Sequence, residues 1–124
     1  MTPDQINQFK RGLDLFNSGE FYDCHEVLEA LWEDLLGNEK RIVQGVLQIA
    51  VGFYHLRTGN LNGARSQLRK AAGKFETFPT PPDFPLDIPT LGAELNQIRN
   101  RLSAVDEPVP DVVNLPAPQL RLCI

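Results

Sequence analysis

His25, Glu29 and Trp32 stand at i, i+4 and i+7 in the segment HEVLEALW, the spacing that stacks side chains along one side of a helix. The chain has two histidines and one tryptophan, and one of each falls in this segment. An imidazole and a carboxylate one turn apart can reach the same ion. The other histidine, His55, is the natural third ligand from a neighbouring helix. Two nitrogens and a carboxylate with an open position form a catalytic zinc arrangement, in which the metal acidifies a bound water. Glu26 then stands as an outer base. A divalent metal and a hydrolytic reaction are therefore one expectation for His25, Glu29 and His55.

A second group of polar residues complicates that expectation. The segment RIVQGVLQIAVGFYHLRTG is apolar almost all the way round, with Ile42, Val46, Ile49 and Phe53 on one face and Val43, Leu47 and Tyr54 on much of the other. Such a helix is expected at the centre of a fold. Yet Arg41, Gln44, Gln48 and His55 fall on one narrow strip of it. Buried polar groups without partners are costly, so this strip needs company. Tyr22, His25, Glu29 and Trp32, at the edge of the preceding helix, are the candidates.

Three arrangements satisfy these residues. One is the metal site. Another is a small-ligand pocket lined by Tyr22, Glu26, Trp32, Arg41, Gln44 and Gln48. In the third, Glu29 pairs with Arg41 while the histidines and glutamines complete a buried hydrogen-bond network. Arg41 would repel a cation, and glutamines are poor zinc ligands, which favours the network. Sharper motifs are absent: position i+4 after His25 is Glu29, which excludes the H-E-x-x-H pattern. Tyr22, three residues before His25, excludes the Glu-x-x-His pairs of di-iron bundles. Cys24 lies off the His25 strip and reads as a small core residue.

The elements that must position these groups are legible. Thr2, Pro3 and Gln5 form a helix start with a capping box, followed by Ile6, Phe9, Leu13 and Phe16 at helical steps. Asn17-Ser18-Gly19 ends that helix. A second is expected from Glu20 to Leu36, with Phe21, Cys24, Leu28, Leu31 and Leu35 inward. Gly37-Asn38 should end it. A third runs from Glu39 to Thr58 and a fourth from Leu61 to Phe75. FPTPPDFPLDIP, from Phe78 to Pro89, is too rich in proline for a helix and reads as an extended crossover. A fifth helix fits Thr90 to Val105. Gly45 and Gly52 inside the third helix each cost roughly 1 kcal/mol against alanine, which implies close packing there. A shift of forty residues superposes Phe9 on Ile49, Leu13 on Phe53, Phe16 on Leu56, Gly19 on Gly59 and Leu28 on Leu68. Helix, glycine turn, helix is the layout of a helical-hairpin repeat of the tetratricopeptide kind.

The expected fold is therefore all-α, built of antiparallel helical hairpins with about five helices in tetratricopeptide-like packing. A single helical domain is expected over residues 1–105 and a proline-rich extended tail over 106–124. That tail, EPVPDVVNLPAPQLRLCI, should lie on the helical body or reach a partner.

Composition narrows the setting. At 124 residues the chain can bury roughly two-thirds of its unfolded surface. A net charge of −4 argues against a dedicated nucleic-acid partner. No apolar run reaches the ~18 residues of a membrane span, and the first residues lack a signal-peptide layout. Cys24 and Cys123 read as free thiols in a reducing compartment, so the cytoplasm is expected. Charge is segregated: Glu20 to Glu39 holds acids and no Lys or Arg, and Arg57 to Lys74 holds bases and no acid. Mutual attraction of two solvated faces within the bundle is the simpler account, with an anionic partner for the fourth helix the other.

HEVLEALW, followed by RIVQG, by YHLRTGN and by Gly63-Ala64, resembles domain-of-unknown-function family 309, small bacterial and archaeal proteins. Their signature is His-x-x-x-Glu-x-x-Trp or Tyr, which here reads His25, Glu29 and Trp32. The resemblance covers about Leu13 to Ala72 and leaves out the tail after Val105. It implies an all-α fold and a metal-binding role suggested for the motif, but no established activity. Two functions follow. One is a metal- or ligand-binding, hydrolytic site between the second and third helices. The other is a non-enzymatic helical-hairpin adaptor that contacts a protein partner, or a second copy, through the tail or an exposed helix face.

Overall fold

The computed structural model describes residues 1–123. Ile124, the last residue of the expected tail, lies outside the described residues. Six helices and no strand are present among them: α1 (Pro3–Asn17), α2 (Phe21–Glu33), α3 (Gly37–Arg57), α4 (Leu61–Thr77), α5 (Ile88–Ser103) and α6 (Pro110–Val113). α1 packs against α2, α2 against α3, α3 against α4 and α4 against α5, while α6 touches α3.

Local chemistry accounts for the ends. At the start of α1, the Gln5 N–H donates to Thr2 Oγ1 (3.1 Å) and the Thr2 N–H to Gln5 Oε1 (2.9 Å), a complete capping box. The α1–α2 and α3–α4 turns are the same object forty residues apart. Gly19 and Gly59 have φ of +80° and +81°. Gly19 N–H donates to Phe16 O and Glu20 N–H to Leu15 O. Gly59 N–H donates to Leu56 O and Asn60 N–H to His55 O. Both are Schellman closures, which need a left-handed residue that glycine supplies without a Cβ clash.

Boundaries differ from expectation at several ends, α4 running on to Thr77 and α5 stopping at Ser103. Gly37 belongs to the start of α3, and α2 already ends at Glu33, leaving Asp34–Leu36 as the connection. The backbone is extended at Leu36 (φ −134°, ψ 160°), which breaks the helical path, with Leu35 in the core and Leu36 exposed. α5 begins earlier than expected, at Ile88, because the Asp87 side chain accepts from the Thr90 N–H and caps it.

The core runs through all elements. Phe16, Phe21 and Phe53 meet edge-on or tilted, with centroids 5.0–6.0 Å apart, joining α1, α2 and α3. Each fully buried Leu or Phe contributes about 1.5–3 kcal/mol of gross burial energy. α3 and α4 touch almost backbone to backbone at Gly52, where a Cβ would stand 2.7 Å from Leu68 Cδ2. The proline crossover returns to α1, with Phe84 edge-on to Phe9 at 5.7 Å.

The residues after Ser103 are not wholly extended. Pro110 opens a short helix, where its missing N–H and fixed φ do no harm. Val112, Leu115 and Leu120 are buried in the same core. Asn17 clasps Leu120 from both sides, its Nδ2 donating to Leu120 O (2.7 Å) and its Oδ1 accepting from Leu120 N (2.8 Å). Arg57 Nη1 donates to Val113 O (2.8 Å), and Cys123 N–H donates to Pro85 O (3.0 Å). The tail thus docks on α1, α3 and the crossover.

Candidate functional site

α2 and α3 lie antiparallel as neighbours, and their outer groove gathers part of the sequence-predicted group. Tyr22 and His25 from α2, with Val51, Tyr54 and His55 from α3, line one pocket of about 200 Å³. The rings stand in a chain: Tyr22 to His25 at 6.0 Å, Tyr22 to Tyr54 at 5.6 Å and Tyr54 to His55 at 5.9 Å between centroids. Tyr22 and Tyr54 are 54% and 40% exposed.

The imidazoles are already engaged. His25 Nε2 is 3.2 Å from Glu29 Oε2, the i, i+4 pair that the sequence spacing implies. His55 Nδ1 is 3.3 Å from Asn60 Nδ2, while Asn60 Oδ1 accepts from the Gly63 N–H at 2.9 Å and caps α4. That cap orients the Asn60 amide so that its NH₂ faces the imidazole. His55 Nδ1 therefore accepts, and the proton of the neutral ring sits on Nε2. Neither nitrogen then offers a free lone pair.

This bears directly on the metal arrangement. His25, Glu29 and His55 do not present three converging free donors. Among the described residues no group of three or more His, Cys, Asp and Glu could hold a metal ion. The residues as placed do not fit a divalent cation.

The remaining predicted residues go elsewhere. Arg41 is exposed, and its guanidinium lies over the Phe78 ring at 5.5 Å instead of pairing with Glu29. It sits near the start of α3, within reach of the first residue of the crossover. Trp32 takes the Lys40 ammonium over its ring at 4.4 Å. Trp32 Nε1, Gln44 Oε1 and Gln48 Oε1 are buried without a hydrogen-bond partner. The expected closed network through these side chains is therefore incomplete in this structure. Glu26 lies beside Tyr22, and its negative charge is the first cause that holds the Tyr22 hydroxyl above the ordinary phenol range. Cys24 faces the core, and burial pushes its thiol up to about 12, as befits a packing residue.

Sequence reasoning missed Val51, Tyr54 and Asn60. Val51 was discoverable, since it continues the Gln44, Gln48, His55 strip at i+7 and belongs to its floor. Tyr54 falls on a face that the sequence reads as covered, yet it is 40% exposed. Asn60 carried a helix-cap signal with nothing to reveal its second role against His55.

Residues 9–67 match a family described as a domain of unknown function, DUF309. The chain is also 43% identical over 47 residues to the uncharacterized protein YpuF of Bacillus subtilis strain 168. That stretch covers 37% of this chain and 27% of the Bacillus protein, so the chain matches only about a quarter of that relative's length.

Proposed function

We propose, for a chain whose residues 9–67 belong to the DUF309 family, that the α2–α3 groove is a binding site for a small organic cation. The observation that carries the reading is the convergence of Tyr22, Tyr54, His25 and His55 on one pocket beside the acidic face of α2. Aromatic faces attract ammonium and guanidinium groups, by about 0.5–2 kcal/mol for a well-placed ring. Asp23 and Glu26 raise the negative potential at the rim, as their charges on Tyr22 attest. The volume, near 200 Å³, suits a short alkylammonium or guanidinium group and not a cofactor. Val51 supplies an apolar floor for the carbon chain.

In this reading the imidazoles shape the pocket, His25 paired with Glu29 and His55 hydrogen-bonded to Asn60. The adaptor alternative draws less support. The tail's apolar side chains Val112, Leu115 and Leu120 are spent on the chain's own core. A partner would have to use the exposed face of Tyr22 and Tyr54 instead.

The test is a titration with n-butylammonium, with n-butanol as the uncharged control, followed by the ring-proton resonances of the tyrosines and histidines. Saturable shifts are expected for the cation and not for the alcohol, and Tyr54→Leu should weaken them about tenfold, as loss of one cation–π partner implies. Equal responses to cation and alcohol refute the reading. A zinc-induced thermal stabilisation that disappears in His25→Ala replaces it with the metal site.

A further inference from the structure

The basic run on α4 does not serve the acidic face of α2. Among the described residues no ion pair joins the two helices, and none includes Arg65, Arg69 or Arg99. The arginines of α4 turn to the other side. There Arg65 and Arg69 meet Asn96, Arg99, Asn100 and Ser103 of α5 around a cavity of about 350 Å³. No carboxylate lines it.

The cluster is partly preorganised. Arg65 spans the helix pair, donating from Nε (3.1 Å) and Nη2 (2.6 Å) to Leu102 O, and from Nη2 to Val105 O. It thereby caps the end of α5 and leaves Nη1 uncommitted. Arg99 Nη1 donates to Asn96 Oδ1 at 3.3 Å, leaving its Nε and Nη2. Arg69 is exposed and makes no hydrogen bond among the described residues. Three guanidinium groups at one cavity repel one another, and a multiply charged anion relieves that repulsion and can use their planar forks two bonds at a time.

We infer that the α4–α5 cavity binds a small phosphorylated molecule, with Arg65, Arg69 and Arg99 on the phosphate. Asn96, Asn100 and Ser103 offer amide and hydroxyl partners for the polar groups that the phosphate carries. The cavity exceeds a single phosphate and falls at the small end of ligand pockets. The overall charge of −4 opposes an extended polyanion.

The experiment is calorimetric titration of the full chain with inorganic diphosphate and with ribose 5-phosphate at constant ionic strength. Arg69→Gln and Arg99→Gln are compared with Lys70→Gln, which neutralises an exposed α4 residue that does not line the cavity. Arg65 is left intact because it holds the end of α5. Saturable one-to-one binding is expected, weakened about tenfold by either arginine variant, as loss of a bidentate charged contact implies. Lys70→Gln should leave it unchanged. Binding of diphosphate alone identifies free anion as the ligand; binding of both assigns the ester class. No saturable binding at millimolar ligand overturns the inference. So does equal weakening by all three variants, or tighter binding of a short single-stranded RNA, either of which makes the patch a nonspecific basic face.

Discussion

Gln48→Met separates a buried polar network from an unpaired polar group. Gln48 is 8% exposed, and its Oε1 is buried with no partner. An unpaired buried acceptor costs about 1–3 kcal/mol. Methionine has nearly the length and volume of glutamine, and a volume-conserving swap costs less than about 1.5 kcal/mol. The expected net effect is a gain of about 1–2 kcal/mol. Unfolding entropy near 2.1 cal/mol/K per residue, over 124 residues, makes this a rise in Tm of about 4–8 °C. Thermal and urea unfolding followed by circular dichroism measure it, and an unchanged urea m-value shows that the change is one of stability. A loss of about 1 kcal/mol or more refutes the reasoning. It would mean that the carbonyl is bonded, by a side chain or by a buried water, and that the network belongs to the native core. Gln44→Met should gain less, since Gln44 is only half-buried.

Four further outcomes are expected. Asn17→Ala removes both hydrogen bonds to Leu120 and should cost about 1–3 kcal/mol, with hydrogen exchange at the Leu120 amide accelerating toward that of an open tail; unchanged protection refutes the clasp. Gly92→Ala, where nothing lies within 4 Å of the new Cβ, should stabilise by up to about 1 kcal/mol. Gly52→Ala should destabilise, because its Cβ meets Leu68, which has no room to move, and overpacking costs about 1–3 kcal/mol; matching signs in the two melting curves would contradict this. At pH 8 a disulfide-exchange reagent should modify exposed Cys123 at once and Cys24 only on unfolding, since burial holds the Cys24 thiol near 12 and suppresses its thiolate; two equally fast thiols would show that the α1–α2 seam opens readily.

The forty-residue register illustrates what was legible. Phe16 and Leu56, then Gly19 and Gly59, predict two equivalent turns, and the backbone delivers equivalent Schellman closures. Gly45 and Gly52 signal close packing because a helix tolerates interior glycine only for a reason, and that reason is Phe75 and Leu68 of α4. The site was only half legible. His25 and Glu29 pair as their spacing implies, and Tyr22, His25 and His55 do share a pocket. Arg41 left the strip for Phe78, Glu29 took His25 as its partner, and the basic face of α4 turned to α5, away from α2.

The division has a physical cause. Helices, caps and turn glycines depend on bonds and contacts within four or five residues, so sequence by itself determined all five long helices and the inward stripes of α1 and α2. The destination of a long polar side chain depends on the splay of neighbouring helices and on which segment covers a helix end. Those are settled by packing between residues far apart in the chain, such as Asn17 with Leu120 or Arg65 with Leu102. Only the tertiary structure could decide that the polar residues of α3 part company, that Asn60 fixes the tautomer of His55, and that three arginines face one cavity.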